Sequence, residues 1–224
     1  MPGSPAVHIS IASLNGGNIS INTSGDVNAG SSVFTVNSVS ALGIYTCQGD
    51  VSVIANGDIN INGSRIAAYD GGNVTVESLH GNIDAGTGAN GYVAVKEFYV
   101  DPVSRQVFST TEAIPGSGIL ATTFPSPLPG STFPAQHNAV GNILVEAPEG
   151  DITAGLGGII QAPLNGVDSP YATVEVLAGY ELRDANGNRV LAKDIADGTT
   201  VPVFSDGWTG RCAGLSTASR CASS

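Results

Sequence analysis

The sequence predicts an all-β fold, a right-handed parallel β-helix of about four to five coils with one long side excursion. Three observations carry that prediction. Short segments alternate apolar and polar residues, as half-buried strands do. Most are introduced by Gly followed by Asp or Asn. The introducing glycines come in pairs, 8 or 9 residues apart, and four such pairs follow one another in phase.

The first strand of each unit follows Gly17-Asn18, Gly49-Asp50, Gly72-Asn73 and Gly141-Asn142. Alternation puts Ile19 and Ile21, Val51 and Val53, Val74 and Val76, and Ile143 and Val145 on one face. The second strand follows Gly25-Asp26, Gly57-Asp58, Gly81-Asn82 and Gly150-Asp151, with Val27, Ile59, Ile83 and Ile152 on its apolar side. Third strands are assigned to the next apolar runs: VFTV at 33–36, RIAAY at 65–69, YVAV at 92–95 and GIIQA at 158–162. YATVEVLAG at 171–179 reads as a fifth first strand, without its Gly-Asx lead. VHISIASL at 7–14 sits where the third strand of a preceding coil belongs. No unit can bury its apolar face alone, but stacked units can, each strand pairing with its counterpart about 4.8 Å away. Gly and Asx suit the corners, because Gly tolerates positive φ and Asx bonds local backbone. Spacings of 23, 24 and 32 residues between corresponding glycines are not all multiples of six. That excludes the hexapeptide period of left-handed β-helices and leaves the right-handed form.

Two excursions interrupt the reading. Residues 37–48 hold Tyr45 and Cys47; residues 96–139 hold half of the 12 prolines and four of the 6 Phe. EFYVDPVSRQVFS is expected to form a hairpin across Asp101-Pro102, and FPSPLPGSTFP is excluded from a central strand. The domain reading is a β-helix over 1–179 with its insertion at 96–139, a hairpin-like excursion or C-terminal cover over 180–205, and a flexible tail over 206–224. The cover contains ELRDANGNRVLA, a hairpin around Asn186-Gly187.

Composition narrows function. The 19 Asp and Glu against 8 Lys and Arg give a formal charge of −11, which excludes a phosphate-binding basic stripe and an anionic membrane surface. No segment is long and apolar enough for a spanning helix, so no membrane insertion is expected. The N-terminus lacks the charged start and apolar run of a signal peptide, and the expectation is a piece of a longer chain. Cys47 reads as a buried apolar residue; Cys212 and Cys221 are spaced to close a small disulfide loop.

The G-[DN]-[IV]-x-[IV] corners, the GDVNAG, GNIDAG and GDITAG second strands and GGIIQAPLNGV together resemble the filamentous haemagglutinin type of bacterial exoprotein, over about residues 7–179. The resemblance implies a long β-helical shaft at a Gram-negative surface, exported through an outer-membrane transporter and used in adhesion. It implies an extracellular or cell-surface location, no enzyme activity and no cofactor.

Candidate sites follow from residue type. The Asx at the corners invite a cation between stacked carboxylates. Their mixture of Asn and Asp suits corner geometry better, and no metal site is assigned. Glu77, Glu146 and Glu175 fall near the ends of first strands, where Glu146 and Glu175 on adjacent coils would reach a glycosidase spacing of about 5–9.5 Å. No basic partner shares that register, so no catalytic residue is assigned and a carbohydrate-active enzyme or glycan-binding module is the alternative function. His8, His80 and His137 show no metal spacing. The expected recognition surface is the 96–139 excursion, with Phe98, Tyr99, Phe108, Phe124 and Phe133 as the partner-binding residues toward a cell-surface glycan or protein. Stacking edges open at Val7 and beyond Ala178 predict end-to-end self-association.

Overall fold

The computed structural model describes residues 10–14, 16–30, 34–35, 38–39, 43–87, 92–100, 103–115, 117–123, 139–162, 172–183, 189–190 and 201–204. Every regular element among them is a strand. Three parallel sheets run the length of the stack, as in a β-helix.

The first sheet holds the first strands of successive coils: β2 (Ile19–Thr23), β7 (Val51–Ala55), β10 (Val74–Ser78), β15 (Ile143–Ala147) and β18 (Val174–Ala178). The second holds β3 (Val27–Asn28), β8 (Ile59–Asn60), β11 (Ile83–Asp84) and β16 (Ile152–Thr153). The third holds β1 (Ile11–Ser13), β6 (Ile44–Cys47), β9 (Arg65–Tyr69), β14 (Gly118–Thr122) and β17 (Ile159–Ala162). Four complete coils result, flanked by β1 below and β18 above.

Register stacks like on like. Ile19, Val51, Val74, Ile143 and Val174 form one column, and Ile21, Val53, Val76, Val145 and Val176 the next. The second sheet aligns Val27, Ile59, Ile83 and Ile152. The third aligns five isoleucines, Ile11, Ile44, Ile66, Ile119 and Ile159. These columns meet in one core, in which Val53, Ile59, Ile66, Val76, Ile83, Ile119 and Val145 are fully buried. At the two ends Ile19, Ile21, Val27, Ile152, Val174 and Val176 are only partly buried, because each has a neighbouring coil on one side.

Two third strands lie elsewhere than the sequence reading put them. In the first coil the strand is β6 at 44–47, inside the expected short excursion, whereas β4 (Phe34–Thr35) and β5 (Ser38–Val39) pair antiparallel with each other. In the third coil it is β14, inside the expected 96–139 excursion, and YVAV at 92–95 instead opens β12. β12 (Tyr92–Val100) and β13 (Val107–Pro115) form an antiparallel hairpin, with Val100 opposite Val107; Asp101 and Pro102, where its turn was expected, lie outside the described residues. The chain therefore leaves the coil after residue 87, makes the hairpin, returns as β14, and continues into residues 124–138, which lie outside the described set. The physical reason is that third strands carry no Gly-Asx lead. Their own lead is Gly-Ile, at Gly43-Ile44, Gly118-Ile119 and Gly158-Ile159.

Beyond β18 the chain forms a small antiparallel sheet, β20-β19-β21, from β19 (Tyr180–Arg183), β20 (Arg189–Val190) and β21 (Val201–Phe204). Its β19–β20 pairing is the hairpin expected around Asn186-Gly187.

Candidate functional site

The corner Asx residues are used by the stack itself. Asn18 Oδ1 accepts the Asp50 backbone N–H at 2.9 Å, Asp50 Oδ1 that of Asn73 at 2.7 Å, Asn73 Oδ1 that of Asn142 at 2.9 Å, and Asn142 Oδ1 that of Thr173 at 2.8 Å. The second corner repeats the pattern: Asp26 to Asp58 at 3.0 Å, Asp58 to Asn82 at 2.7 Å, Asn82 to Asp151 at 2.9 Å. Each coil thus supplies an acceptor for a corner N–H that no sheet would satisfy. The bond to the next coil's N–H uses Oδ1, which Asn and Asp both carry, so either serves at a corner. Close approach dictates the glycine beside them. A Cβ on Gly49 would run into the Gly17 carbonyl, on Gly72 into that of Gly49, and on Gly141 into that of Gly72. Among the described residues no group of three metal-ligating side chains occurs.

The chemically distinctive cluster is a pair of carboxylates on the outer face of the first sheet. Val74 and Val76 point into the core, so Glu77 points out. Its register partner one coil up is Glu146, and one coil down is Ile54. Neighbouring strands lie about 4.8 Å apart, so the two carboxyl groups are side by side. Glu77 is nevertheless only 5% exposed, and its Oε1 is buried without a hydrogen-bond partner. Tyr180, 1% exposed, donates its O–H to Glu146 Oε1 at 3.0 Å. Its backbone N–H donates to the Pro148 carbonyl at 2.9 Å, and the Gly179 N–H to that of Ala147 at 3.1 Å.

Burial, with the Glu146 charge added, pushes Glu77 up to about 7. Burial also raises Glu146, against the lowering pull of the Tyr180 hydrogen bond and with a further push from Glu175. Burial and then the Glu146 charge raise Tyr180, so its phenol stays protonated at any ordinary pH. Glu175 differs from its sequence reading. It registers with Leu144, and Leu177 lies beside Glu146. Glu175 is exposed, so the adjacent-coil pair is Glu77 with Glu146. His80 lies three residues past Glu77 at the corner, with Nδ1 at 2.8 Å from Glu149 Oε2.

A second cluster lies outside the core on the third sheet. Cys47, Ala67, Tyr69 and Leu120 are fully buried there, with Tyr45 and Tyr69 rings 5.7 Å apart. Arg65 is buried beside them and, by charge and hydrogen bond, partly offsets the upward push of burial on Tyr69. Cys47 is thus the buried residue expected.

The expected recognition residues divide. Phe98, Tyr99 and Phe108 fall on β12 and β13, Tyr99 opposite Phe108 in register. Phe124 and Phe133 lie outside the described residues, as do His8, His137, Cys212 and Cys221. At the hairpin tip Val103 is 88% and Val107 64% exposed.

Residues 71–171 match the family described as filamentous haemagglutinin family outer membrane protein. That stretch is a little under half of the chain and runs from the corner before β10 to the approach to β18. The motifs that suggested the resemblance, GNIDAG, GDITAG and GGIIQAPLNGV, fall within it. Neither the curated proteins nor the solved structures compared with the chain show a match.

Proposed function

We propose that this chain is a structural and adhesive segment of a bacterial surface or secreted exoprotein, a rigid β-helical shaft that displays the 92–115 hairpin to a cell-surface glycan or protein. One observation carries the reading. Among the described residues the nine-residue strands of the hairpin pair only with each other and interrupt the third coil. A stack that needs only β14 to close that coil spends some thirty residues on something else, and such insertions on repeat scaffolds are where recognition resides. Family similarity supports a location outside the cell or at its surface, and an outer-membrane transporter as export partner. The partly buried columns at both ends support end-to-end association of copies.

The alternative is polysaccharide cleavage. It would use Glu77 and Glu146, whose side-by-side register fits the spacing of about 5 Å in retaining glycosidases. The burial of Glu77 and the Tyr180 hydrogen bond to Glu146 speak against it, since a sugar chain has no access to Glu77. Replacing residues 92–115 by a short Gly-Ser turn tests the adhesive reading. Retained β-sheet circular dichroism with loss of binding to bacterial and host cell surfaces is expected. Undiminished binding by the folded deletion variant refutes display by the hairpin.

A further inference from the structure

We propose that Glu77, Glu146 and Tyr180 form a proton-controlled latch, which holds the β19–β21 cover on the shaft while the carboxyl pair keeps one proton and loosens it when that proton leaves. The shaft reading explains none of these three residues. A stack of this kind accepts Ser, Thr or Asn at outward positions, as it does at Ser20, Ser52 and Thr75. Here two carboxyl groups stand on adjacent coils, Glu77 buried and Glu146 half-buried.

The cover depends on that spot. Tyr180 is the first residue of β19, and β19 is the strand to which both β20 and β21 pair. The Tyr180 side chain reaches Glu146, and its backbone follows Ala147 and Pro148. Tyr180 has a single O–H, which it gives to Glu146. Glu77 Oε1 is left buried without a donor. A neutral carboxyl there costs little, whereas a buried carboxylate beside the half-buried Glu146 carboxylate is strongly disfavoured.

Among the described side chains, none beside Glu77 offers a counter-charge. On β7 its register partner is Ile54 and on β15 it is Glu146; Tyr180 is bonded to Glu146, and the charge of Glu175 acts on Glu146 in turn. His80, three residues along the same edge, is engaged with Glu149. The chemistry is the loss of one proton from the pair to water, with no bond formed or broken. Burial and the Glu146 charge bring that loss to about pH 7. The device therefore works across neutrality: closed in acid, loosened in mild alkali.

Amide hydrogen exchange read by mass spectrometry from pH 5.5 to 8.5, corrected for the intrinsic rate, tests this on the whole chain. The amides of 180–183 and 201–204 report the cover, and those of 74–78 and 143–147 report the stack. In the unaltered protein, cover protection should fall by about tenfold or more across that range, the equivalent of one pKa unit of coupling, while the stack stays protected. Glu77→Gln, isosteric and uncharged, should hold cover protection high at pH 8.5. Glu146→Gln, which leaves burial alone to hold the proton on Glu77, should keep the response but move it to lower pH, provided stack amides remain protected. A cover whose exchange ignores pH, or one that loosens equally in Glu77→Gln with the stack intact, overturns the proposal.

Discussion

Removing one rung from the corner ladder should weaken the stack by a measurable and divisible amount. Asn73 is the most informative site. Its Oδ1 accepts the Asn142 N–H at 2.9 Å, and its Nδ2 donates to Asp50 Oδ1 at 3.3 Å. Its backbone N–H also donates to Asp50 Oδ1 and survives any substitution except proline. Asn73→Ala removes the first two. At about 1 kcal/mol net for each exposed or half-exposed hydrogen bond, the loss is about 2 kcal/mol. For a chain of this size that lowers the melting midpoint by about 4–8 °C. Asn73→Asp discriminates further. It keeps the Oδ1 acceptor, loses the Nδ2 donor, and sets a carboxylate one coil above Asp50. At about 5 Å in high dielectric the repulsion is about 1 kcal/mol, screened by salt. The total resembles the alanine loss at low salt, and shrinks in molar salt. Urea unfolding monitored by circular dichroism at two salt concentrations measures both. An Asn73→Ala midpoint indistinguishable from the unaltered protein would refute the claim that the Asx oxygen holds adjacent coils together.

Three further outcomes follow from the geometry. Gly141→Ala places a methyl against the Gly72 carbonyl and should cost about 3 kcal/mol or prevent folding, whereas Gly25→Ala, with open space around it, should be tolerated; thermal melts of the pair check this. Glu77 has its folded-state value raised from 4.5 to about 7, so the folded protein holds the proton more tightly than the unfolded chain. Its contribution to stability is complete below pH 4.5 and is lost as pH rises to about 7. The drop is about 3 kcal/mol at most, visible as a falling urea midpoint that Glu77→Gln removes. His80→Ala, which breaks a largely exposed ion pair with Glu149, should change stability by under about 0.5 kcal/mol at pH 7.

First and second strands were legible in the sequence because their corners are chemically marked. Gly-Asx recurs at the first and second corners of the coils, where the Asx oxygen bridges to the next coil, except before β18, where Thr173 takes the position. Third strands were legible where no insertion intervened, at β1, β9 and β17. At β6 and β14 an insertion precedes the strand, and the nearest apolar run, VFTV or YVAV, took its place. The Gly-Ile lead could have found them. Gly43 and Gly118 have positive φ and lie where a Cβ would strike the next coil's backbone. The carboxylate face was half legible. Alternation put Glu77 and Glu146 outward, and matching TVEVLA to NILVEA would have set Glu175 beside Leu144. That Tyr180 folds back over the pair was not legible, because no periodicity links a residue beyond the last coil to one a hundred residues earlier.

The measurement that bears most directly on the shaft account is incubation of the purified chain with a panel of plant, algal and bacterial polysaccharides, recording both co-sedimentation and release of soluble fragments. The account predicts no fragment release at any pH from 5 to 9, and any binding to be lost on deletion of residues 92–115. Fragment release that disappears in Glu77→Gln or Glu146→Gln would contradict it, and would make the carboxylate pair the centre of an enzyme.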